Sequence, residues 1–273
     1  MKIIKRRIGR LNVTEFFDNG IIRKISSLEE QSRPKRLLRE AIVLEMARSR
    51  GVLVPELLAY GRDSIDREYL ETKMISGSTL VSMADRVQKE VFATIGGQLL
   101  RLRACFAGYG WLNGETKKGE YQSWRQFLID FYERYSARIV AHDLSKVLEH
   151  CHMRDLIQES VSEPPEPYII HRDIKPRNVI KDNSGFIWIL DWENALLGDP
   201  LFDVAQFAAN FGHGEQWRSV VSGYGLNIRT RTYALYEVIA LIGVVAFCQK
   251  YCVPVARRRE RLKQRLADIQ SHP

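Results

Sequence analysis

Residues 171–205 read HRDIKPRNVIKDNSGFIWILDWENALLGDPLFDVA. The apolar runs at 179–181 and 186–190 have the length and branched side chains of strands, and the sequence DNSG between them is typical of a turn. A third apolar run, at 168–170, precedes the segment. The pattern therefore predicts a strand, a polar loop and a β-hairpin.

Side chains that bind cations and move protons collect in this predicted loop. His171, Asp173 and Asn178 follow the first strand, and Asp191 follows the return strand of the hairpin. Because a hairpin brings its two ends together, we expect Asp191 beside the loop. Amide and carboxylate oxygens bind Mg²⁺ while leaving part of its shell to phosphates. Asp173 can accept a proton from a hydroxyl, and Lys175 can neutralise charge on a phosphoryl group.

The composition is that of a globular protein with an uneven charge distribution. The 273 residues are 45% hydrophobic and 27% charged, which excludes collagen-like, low-complexity and wholly disordered chains. Residues 1–50 hold 13 Lys and Arg against 6 Asp and Glu, whereas residues 151–203 hold 5 against 10. The net charge of +8 permits polyanionic partners. An acidic segment in a basic chain is where we expect a divalent cation.

Cysteine content and hydropathy bear on the compartment. Four cysteines are too few for a disulfide-framed secreted module. The first residues lack an apolar run of signal-peptide length, and the longest apolar run, 238–248, is shorter than the ~20 residues that cross a bilayer. We therefore expect a cytoplasmic protein without a transmembrane segment. The basic tail 256–266 predicts an amphipathic helix with a solvated face, an anionic surface being its alternative partner, and no feature points firmly to nucleic acid.

The rest of the chain divides into a β-rich part and a helical part. The β-rich part is expected to begin with a hairpin at 13–17 and 21–25, turned by Asp18-Asn19-Gly20. A helix at 34–51 and strands at 57–60 and 68–75 are expected to follow. The expected helices lie at 87–106, 124–150 and 232–267, with a connector, GYGWLNG, at 108–114. Trp111 and Trp124 are expected in the core, and Cys248 and Cys252 as buried packing residues.

HRDIKPRN at 171–178 and ILDWENALLGDPLFDVA at 189–205 resemble the catalytic core of the protein-kinase-like superfamily, closest to its aminoglycoside phosphotransferase and choline kinase branch. The resemblance implies an α+β, two-lobed protein-kinase-like fold. A small β-rich lobe with one main helix would bind the nucleotide at 1–75, and a larger, mostly helical lobe would hold the catalytic and substrate sites at 76–273.

The resemblance also implies roles for the residues of the acidic segment. Asp173 would be the catalytic base, and Asn178 and Asp191 would be the metal ligands. His171 would support the catalytic loop, and Asp203 would hydrogen-bond to the backbone of that loop. The implied cofactors are ATP, with GTP as the alternative donor, and Mg²⁺.

In the small lobe the resemblance implies the nucleotide contacts. Lys24 would contact the α- and β-phosphates, and Glu40 on the following helix would pair with it, with Arg23 and Glu45 as the nearest alternatives. Thr72 would lie at the back of the adenine pocket, while the Lys73 carbonyl and the Ile75 amide would read adenine through backbone hydrogen bonds.

Two features depart from the family pattern. The stretch RRIGRLN at 6–12, where a glycine-rich phosphate cover is expected, holds only Gly9, so basic residues such as Arg6 and Arg10 are the expected electrostatic substitutes. Arg172 and Lys175 match the protein Ser/Thr kinase version of the loop, whereas small-molecule kinases often have Gly and His there.

Chain length around the site ranks the functions. The first choice is transfer of a γ-phosphoryl group to a hydroxyl of a small molecule, and the alternatives are a protein Ser/Thr kinase and a non-catalytic nucleotide-binding module. Seven residues separate Asp191 from Asp199, too few for an activation segment that docks a polypeptide, whereas 97 residues between Ile75 and Asp173 can build an acceptor pocket. No catalytic carboxylate is missing. A sugar, an amino alcohol, an antibiotic and a nucleoside-like alcohol all remain open as acceptor.

Overall fold

A computed structural model of the protein describes residues 2–9, 11–27, 36–103, 105–139, 144, 148 and 151–271. The amino-terminal strands are β1 (Ile3–Ile8), β2 (Asn12–Phe17), β3 (Ile21–Ser26), β4 (Leu57–Arg62) and β5 (Glu68–Lys73). They form one antiparallel sheet in the order β1-β2-β3-β5-β4. The helix α1 (Arg36–Ser49) packs on β4 and β5. Gly20, with φ 78°, turns the predicted hairpin, a conformation that glycine adopts without strain.

Two smaller sheets follow. The first contains β6 (Gly77–Thr79), β10 (Val179–Asp182) and β11 (Ile187–Ile189), in the order β11-β10-β6. The second contains β7 (Tyr109–Asn113), β8 (Lys118–Tyr121), β9 (Tyr168–Ile170) and β12 (Leu196–Gly198), in the order β8-β7-β12-β9. The predicted strand, loop and hairpin at 168–190 are confirmed. The prediction of a connector at 108–114 was wrong, because β7 pairs with β12 far along the chain, Trp111 opposite Leu196.

The described helices of the carboxyl-terminal part are α2 (Asp85–Leu99), α3 (Trp124–Ser136), α4 (Met153–Ser160), α5 (Leu201–Phe211), α6 (Glu215–Tyr224), α7 (Arg231–Lys250) and α8 (Ala256–Ser271). The predicted helix 232–267 is in fact two helices. The chain breaks between them because Cys252 has a left-handed backbone, with φ 52°, and Pro254 cannot continue a helical hydrogen-bond pattern. Cys252 is exposed, against prediction, while Cys248 is buried. Part of the predicted helix 124–150 lies outside the described residues.

The hydrophobic core is one cluster that extends from α1 and β5 to the carboxyl-terminal helices, and α7 contributes many of its buried residues. By length and composition α7 could cross a membrane, but 72% of its apolar window is buried inside the protein, as in a core helix. Trp124 and Tyr236 are fully buried, and the indole Nε1 of Trp124 donates to the Tyr236 hydroxyl at 2.7 Å. Trp111 is also buried, so both tryptophans are in the core as predicted.

The basic tail forms the predicted helix, α8, but several of its arginines turn inward. Arg261 donates to the Ala208 carbonyl at 2.6 Å, near the end of α5, where a cation is favourable to the helix dipole. Arg261 and Arg265 each lie 3.3 Å from Glu237, a fully buried carboxylate on α7. These contacts attach α8 to the core. They also engage two of the basic residues that the sequence predicted to face solvent or an anionic surface.

Replacing Gly96 with Ala is expected to lower the free energy of unfolding by about 2–3 kcal/mol. A methyl group on Gly96 of α2 would lie 2.4 Å from the carbonyl carbon of Gly223 on α6, so the two helices would have to move apart. Gly97→Ala is the matched control, because its methyl group meets nothing closer than 4.0 Å and Ala favours the helix. Urea unfolding measures both variants, and equal stability for the two would contradict the expected clash.

Candidate active site

The loop after β9 is held in place by Asp203 from the first turn of α5. The amides of His171 and Arg172 donate to its two carboxylate oxygens at 2.8 Å and 2.5 Å. The hydroxyl of Tyr224 donates to the same carboxylate at 2.9 Å. Asp203 is 1% exposed, so these bonds compensate a charge that is otherwise costly to bury. The contact that the resemblance implied for Asp203 is present.

His171 connects the loop to the hairpin. Its Nδ1 accepts a hydrogen bond from the Asp173 amide at 3.1 Å, which places the ring proton on Nε2, 2.9 Å from the Leu190 carbonyl. Burial lowers the pKa of His171, so the ring is neutral and keeps this tautomer. The imidazole therefore supports the loop and the end of the hairpin at once.

Asp173, Lys175 and Asn178 form a connected group within the loop. Asn178 Nδ2 donates to the Asp173 carbonyl oxygen at 2.9 Å and to its carboxylate at 3.1 Å, and Lys175 forms an ion pair with the same carboxylate. Burial raises the pKa of Asp173, although the charge of Lys175 opposes this. A partly buried carboxylate with a raised pKa is better suited to accept a proton than a solvated one.

Asp191 lies beside this loop, as the hairpin predicted. The Leu190 amide donates to the Asn178 carbonyl at 2.8 Å, which joins the end of β11 to the loop. Asp191 has φ 66°, and Arg172 has φ 64°. Left-handed backbone is uncommon for residues other than glycine and costs free energy, so it persists where the surrounding contacts impose it.

Lys24 of β3 reaches the carboxylates of both halves of the site. Its Nζ lies 2.7 Å from Glu40 on α1, 2.9 Å from Asp191 and 3.9 Å from Glu193. Burial alone favours the neutral amine, but the charges of Asp191, Glu40 and Glu193 outweigh it and raise the pKa of Lys24 far above its ordinary value. Lys24 is therefore a fixed ammonium group, and the pairing expected with Glu40 is present.

The electrostatics differ among the carboxylates around Lys24. Burial raises the pKa of Glu40, and the negative charge of Asp191 adds to that effect while Lys24 opposes it. For Asp191, burial also favours the neutral acid, but the charge and hydrogen bond of Lys24 prevail and lower the pKa. Asp191 thus stays ionised at neutral pH, as a cation ligand must.

Glu193 is a site residue that the sequence analysis did not select. It is buried, and its carboxylate accepts from Asn12 Nδ2 at 2.5 Å and lies 3.5 Å from Arg36. The signal in the sequence was its spacing, two residues after Asp191, which puts a second carboxylate just beyond the hairpin. Glu193 thereby joins β2 and α1 to the segment after Asp191.

The two predicted metal ligands suit Mg²⁺ by their chemistry. Because Asn178 Nδ2 donates to Asp173, the amide Oδ1 is the ligand atom of that side chain, and Asp191 adds a carboxylate; both are hard oxygen donors. A second group of carboxylates, Glu40, Asp191 and Glu193, has ligand atoms within 4.8 Å of one another. Lys24 already neutralises that group, so Asn178 with Asp191 is the better candidate pair.

The predicted adenine contacts lie where β5 leaves the amino-terminal sheet. Thr72 is half-buried in β5, and the Lys73 amide donates to the Glu56 carbonyl at 2.9 Å. Ile75 follows the strand, and its amide donates to no other described residue. Contact of these groups with adenine remains a prediction.

The turn between β1 and β2 lacks the expected series of glycines. The Gly9 amide donates to the Asn12 carbonyl at 2.9 Å, which closes the turn. Arg6 pairs with Glu15 on β2, and Arg10 lies outside the described residues. Backbone or electrostatic contact with phosphates at this turn stays a prediction.

Comparison with known proteins identifies relatives of this chain. The sequence profile of the "Phosphotransferase enzyme family" matches residues 19–236. A hygromycin-B 4-O-kinase of Escherichia coli is 23% identical over 163 residues, which cover 58% of this chain and 48% of the relative. The aligned part thus spans about half of the length of that relative.

Solved structures resemble the protein over nearly its whole length. A thermostable mutant of aminoglycoside phosphotransferase APH(4)-Ia, in a ternary complex with AMP-PNP and hygromycin B, matches with a TM-score of 0.75 at 17% identity, over 98% of this chain and 94% of the other. The choline kinase LicA from Streptococcus pneumoniae matches with a TM-score of 0.69 at 16% identity, over 98% and 95%. These likenesses confirm the α+β, two-lobed fold.

Proposed function

Because the chain belongs to the phosphotransferase enzyme family, we propose that it transfers the γ-phosphoryl group of ATP to a hydroxyl of a small molecule. The observation that carries this proposal is that carboxylates from two parts of the chain meet at Lys24. The ammonium group of β3 meets Glu40 of α1 and Asp191 of the hairpin, and Asp191 lies beside the loop with Asp173. Phosphoryl transfer needs this combination of a fixed cation, an acidic metal site and a carboxylate base.

Each side chain has a role that its contacts make physically reasonable. Lys24, aimed by Glu40, would bind the α- and β-phosphates. Asp173 would orient the acceptor hydroxyl and accept its proton as the hydroxyl oxygen bonds to the γ-phosphorus and the bond from that phosphorus to the bridging oxygen breaks, which releases ADP. Lys175, now paired with Asp173, would neutralise charge on the moving phosphoryl group. Mg²⁺ held by Asn178 and Asp191 would supply charge neutralisation at the phosphate oxygens.

The segment after Asp191 supports a small acceptor over a polypeptide. β12, at Leu196–Gly198, pairs with β7 and β9, and α5 begins at Leu201. The chain between Asp191 and α5 is thus short, and its strand β12 is already hydrogen-bonded into a sheet. An activation segment that docks a peptide needs a longer and more open stretch.

A screen for ATP consumption tests the proposed function. The panel contains aminoglycosides with hygromycin B, choline and other amino alcohols, sugars and nucleosides, with a generic protein substrate alongside and GTP as a second donor. We expect turnover of at least one small hydroxylated compound by the wild type, and a rate lower by roughly 10³-fold with Asp173→Asn. Phosphorylation of the protein substrate and of no small molecule would contradict the proposal. Since the donor and Mg²⁺ are abundant in the cytoplasm, we keep the cytoplasm as the proposed location.

A further inference from the structure

Trp111 of β7 lies against two arginine side chains that come from two different elements, α1 and the loop after β9. The guanidinium carbon of Arg39 is 5.2 Å from the centre of the indole, and that of Arg172 is 5.0 Å from it. Distances of this size allow cation–π attraction. The arrangement joins β7 to α1 and to the loop after β9.

Arg39 precedes Glu40 in α1, so its position is coupled to that of the carboxylate that pairs with Lys24. Its Nε donates to the Leu112 carbonyl on β7 at 3.0 Å. The side chain is buried, and its Nη1 has no hydrogen-bond partner within the described part of the chain. The contacts with β7 are therefore a large part of what holds this guanidinium group.

Arg172 precedes Asp173, and its backbone is held in a left-handed conformation with its amide on Asp203. Its guanidinium group faces Trp111 and, at 5.1 Å, the ring of Phe131. The buried Nε has no hydrogen-bond partner among the residues that the structure describes. Aromatic faces thus take the place of hydrogen-bond acceptors around much of this side chain.

Two positive charges on one indole need a physical explanation. Burial lowers the pKa of Arg39 to about 10, and the nearby charge of Arg172 acts in the same direction. Burial also lowers the pKa of Arg172 to about 10, although Asp203 and Asp173 oppose it. Both groups are still charged at neutral pH, and the negative face of Trp111 offsets part of their desolvation and mutual repulsion.

We propose that Trp111 is a positioning residue that ties α1 to the catalytic loop, so that Glu40 and Asp173 keep a fixed relation. The kinetic part of this inference rests on the proposed function; the structural part does not.

Amide hydrogen exchange tests the tie without any substrate. Trp111→Leu keeps an apolar side chain and removes the π face, whereas Trp111→Phe keeps an aromatic ring. We expect Trp111→Leu to accelerate exchange by about tenfold or more both in α1 and in residues 171–178, and Trp111→Phe to restore most of the protection. Gly96→Ala serves as the control for a loss of stability away from the site.

Two exchange results would overturn the inference. Acceleration confined to β7, β8 and α3 would reduce Trp111 to a local packing residue against Phe127, its ring neighbour at 6.2 Å. Uniform acceleration across the chain, as expected for Gly96→Ala, would show only a global loss of stability.

Steady-state kinetics provides the second readout. For Trp111→Leu we expect kcat to fall by about tenfold or more with the KM for ATP within about threefold, because misplacement of reacting groups affects the chemical step. Adding Arg39→Met to Trp111→Leu should cost little further kcat, since both changes break the same tie. If the losses in kcat from the two substitutions are fully additive, the proposed link between α1 and the catalytic loop through Trp111 is wrong. A wild-type protein that transfers no phosphoryl group would reject the proposed function and leave the exchange result to judge the tie.

Discussion

Replacement of Asp173 with Asn is expected to lower kcat by roughly 10³-fold while Mg²⁺-ATP still binds. The variant keeps the size of the side chain and the hydrogen bond from Asn178, but the amide cannot take the proton of the acceptor hydroxyl. Turnover with the best acceptor and calorimetry with ATP measure the two effects.

The rate of the wild type should also depend on pH. Burial raises the pKa of Asp173, and the carboxylate must be ionised to accept a proton. As the pH drops, the fall in kcat should therefore begin at a higher pH than the ordinary pKa of an aspartate would give.

Asp66→Asn is the matched control for Asp173→Asn. Asp66 is an exposed aspartate with φ 63° in the amino-terminal part, and Asn tolerates that backbone as well as Asp does. Its kcat should stay within about twofold of the wild type, as is usual for an exposed position. If Asp173→Asn keeps kcat within the same range, Asp173 is not the base.

Replacement of Asp191 with Asn is expected to weaken nucleotide binding in Mg²⁺ by at least about tenfold and to lower kcat on the order of 10³-fold. Asn also accepts the left-handed backbone at this position, where φ is 66°, so the change removes a charge and keeps the local shape. Lys24 loses the negative charge of its 2.9 Å partner and retains the charge of Glu40. Calorimetry with ATP in Mg²⁺ and in EDTA measures the effect.

The EDTA arm distinguishes two roles of Asp191. A metal ligand predicts that wild type and variant bind ATP alike in EDTA and differ only when Mg²⁺ is present. An equal difference under both conditions would mean that Asp191 acts on the nucleotide through Lys24 alone, and Asn178 would then need another partner for the metal.

Local signals in the chain predicted much of the scaffold. Asn19-Gly20 identified the hairpin of β2 and β3, because glycine adopts the left-handed turn conformation at little cost. The spacing of apolar residues identified α1, and the DNSG turn identified the hairpin that returns Asp191 to the loop. Each of these features depends on interactions between residues that are close in sequence.

Other features depend on partners that no local pattern names. The stretch at 108–114 was interpreted as a connector, since its glycines weaken the strand propensity that its aromatic residues would otherwise give. It becomes β7 because β12 supplies hydrogen bonds to its edge, with Leu196 opposite Trp111. The break at Cys252 within the last predicted helix was missed for a different reason: Pro254 is a local helix-breaking signal, but the apolar spacing continues on both sides of the break.

Local patterns in the chain were enough to predict the residues of the candidate site: the loop with Asp173 and Asn178, the returning Asp191, and the turns that place them. Which charges meet there depends on the tertiary fold. Lys24 and Asp191 are 167 residues apart, and Glu193, Arg39, Arg172 and Trp111 acquire their roles only when the sheets and α1 pack together. The physical reason is range. Turn geometry and helical periodicity act within a few residues, whereas electrostatic and packing energies depend on distances in space that only the folded chain sets.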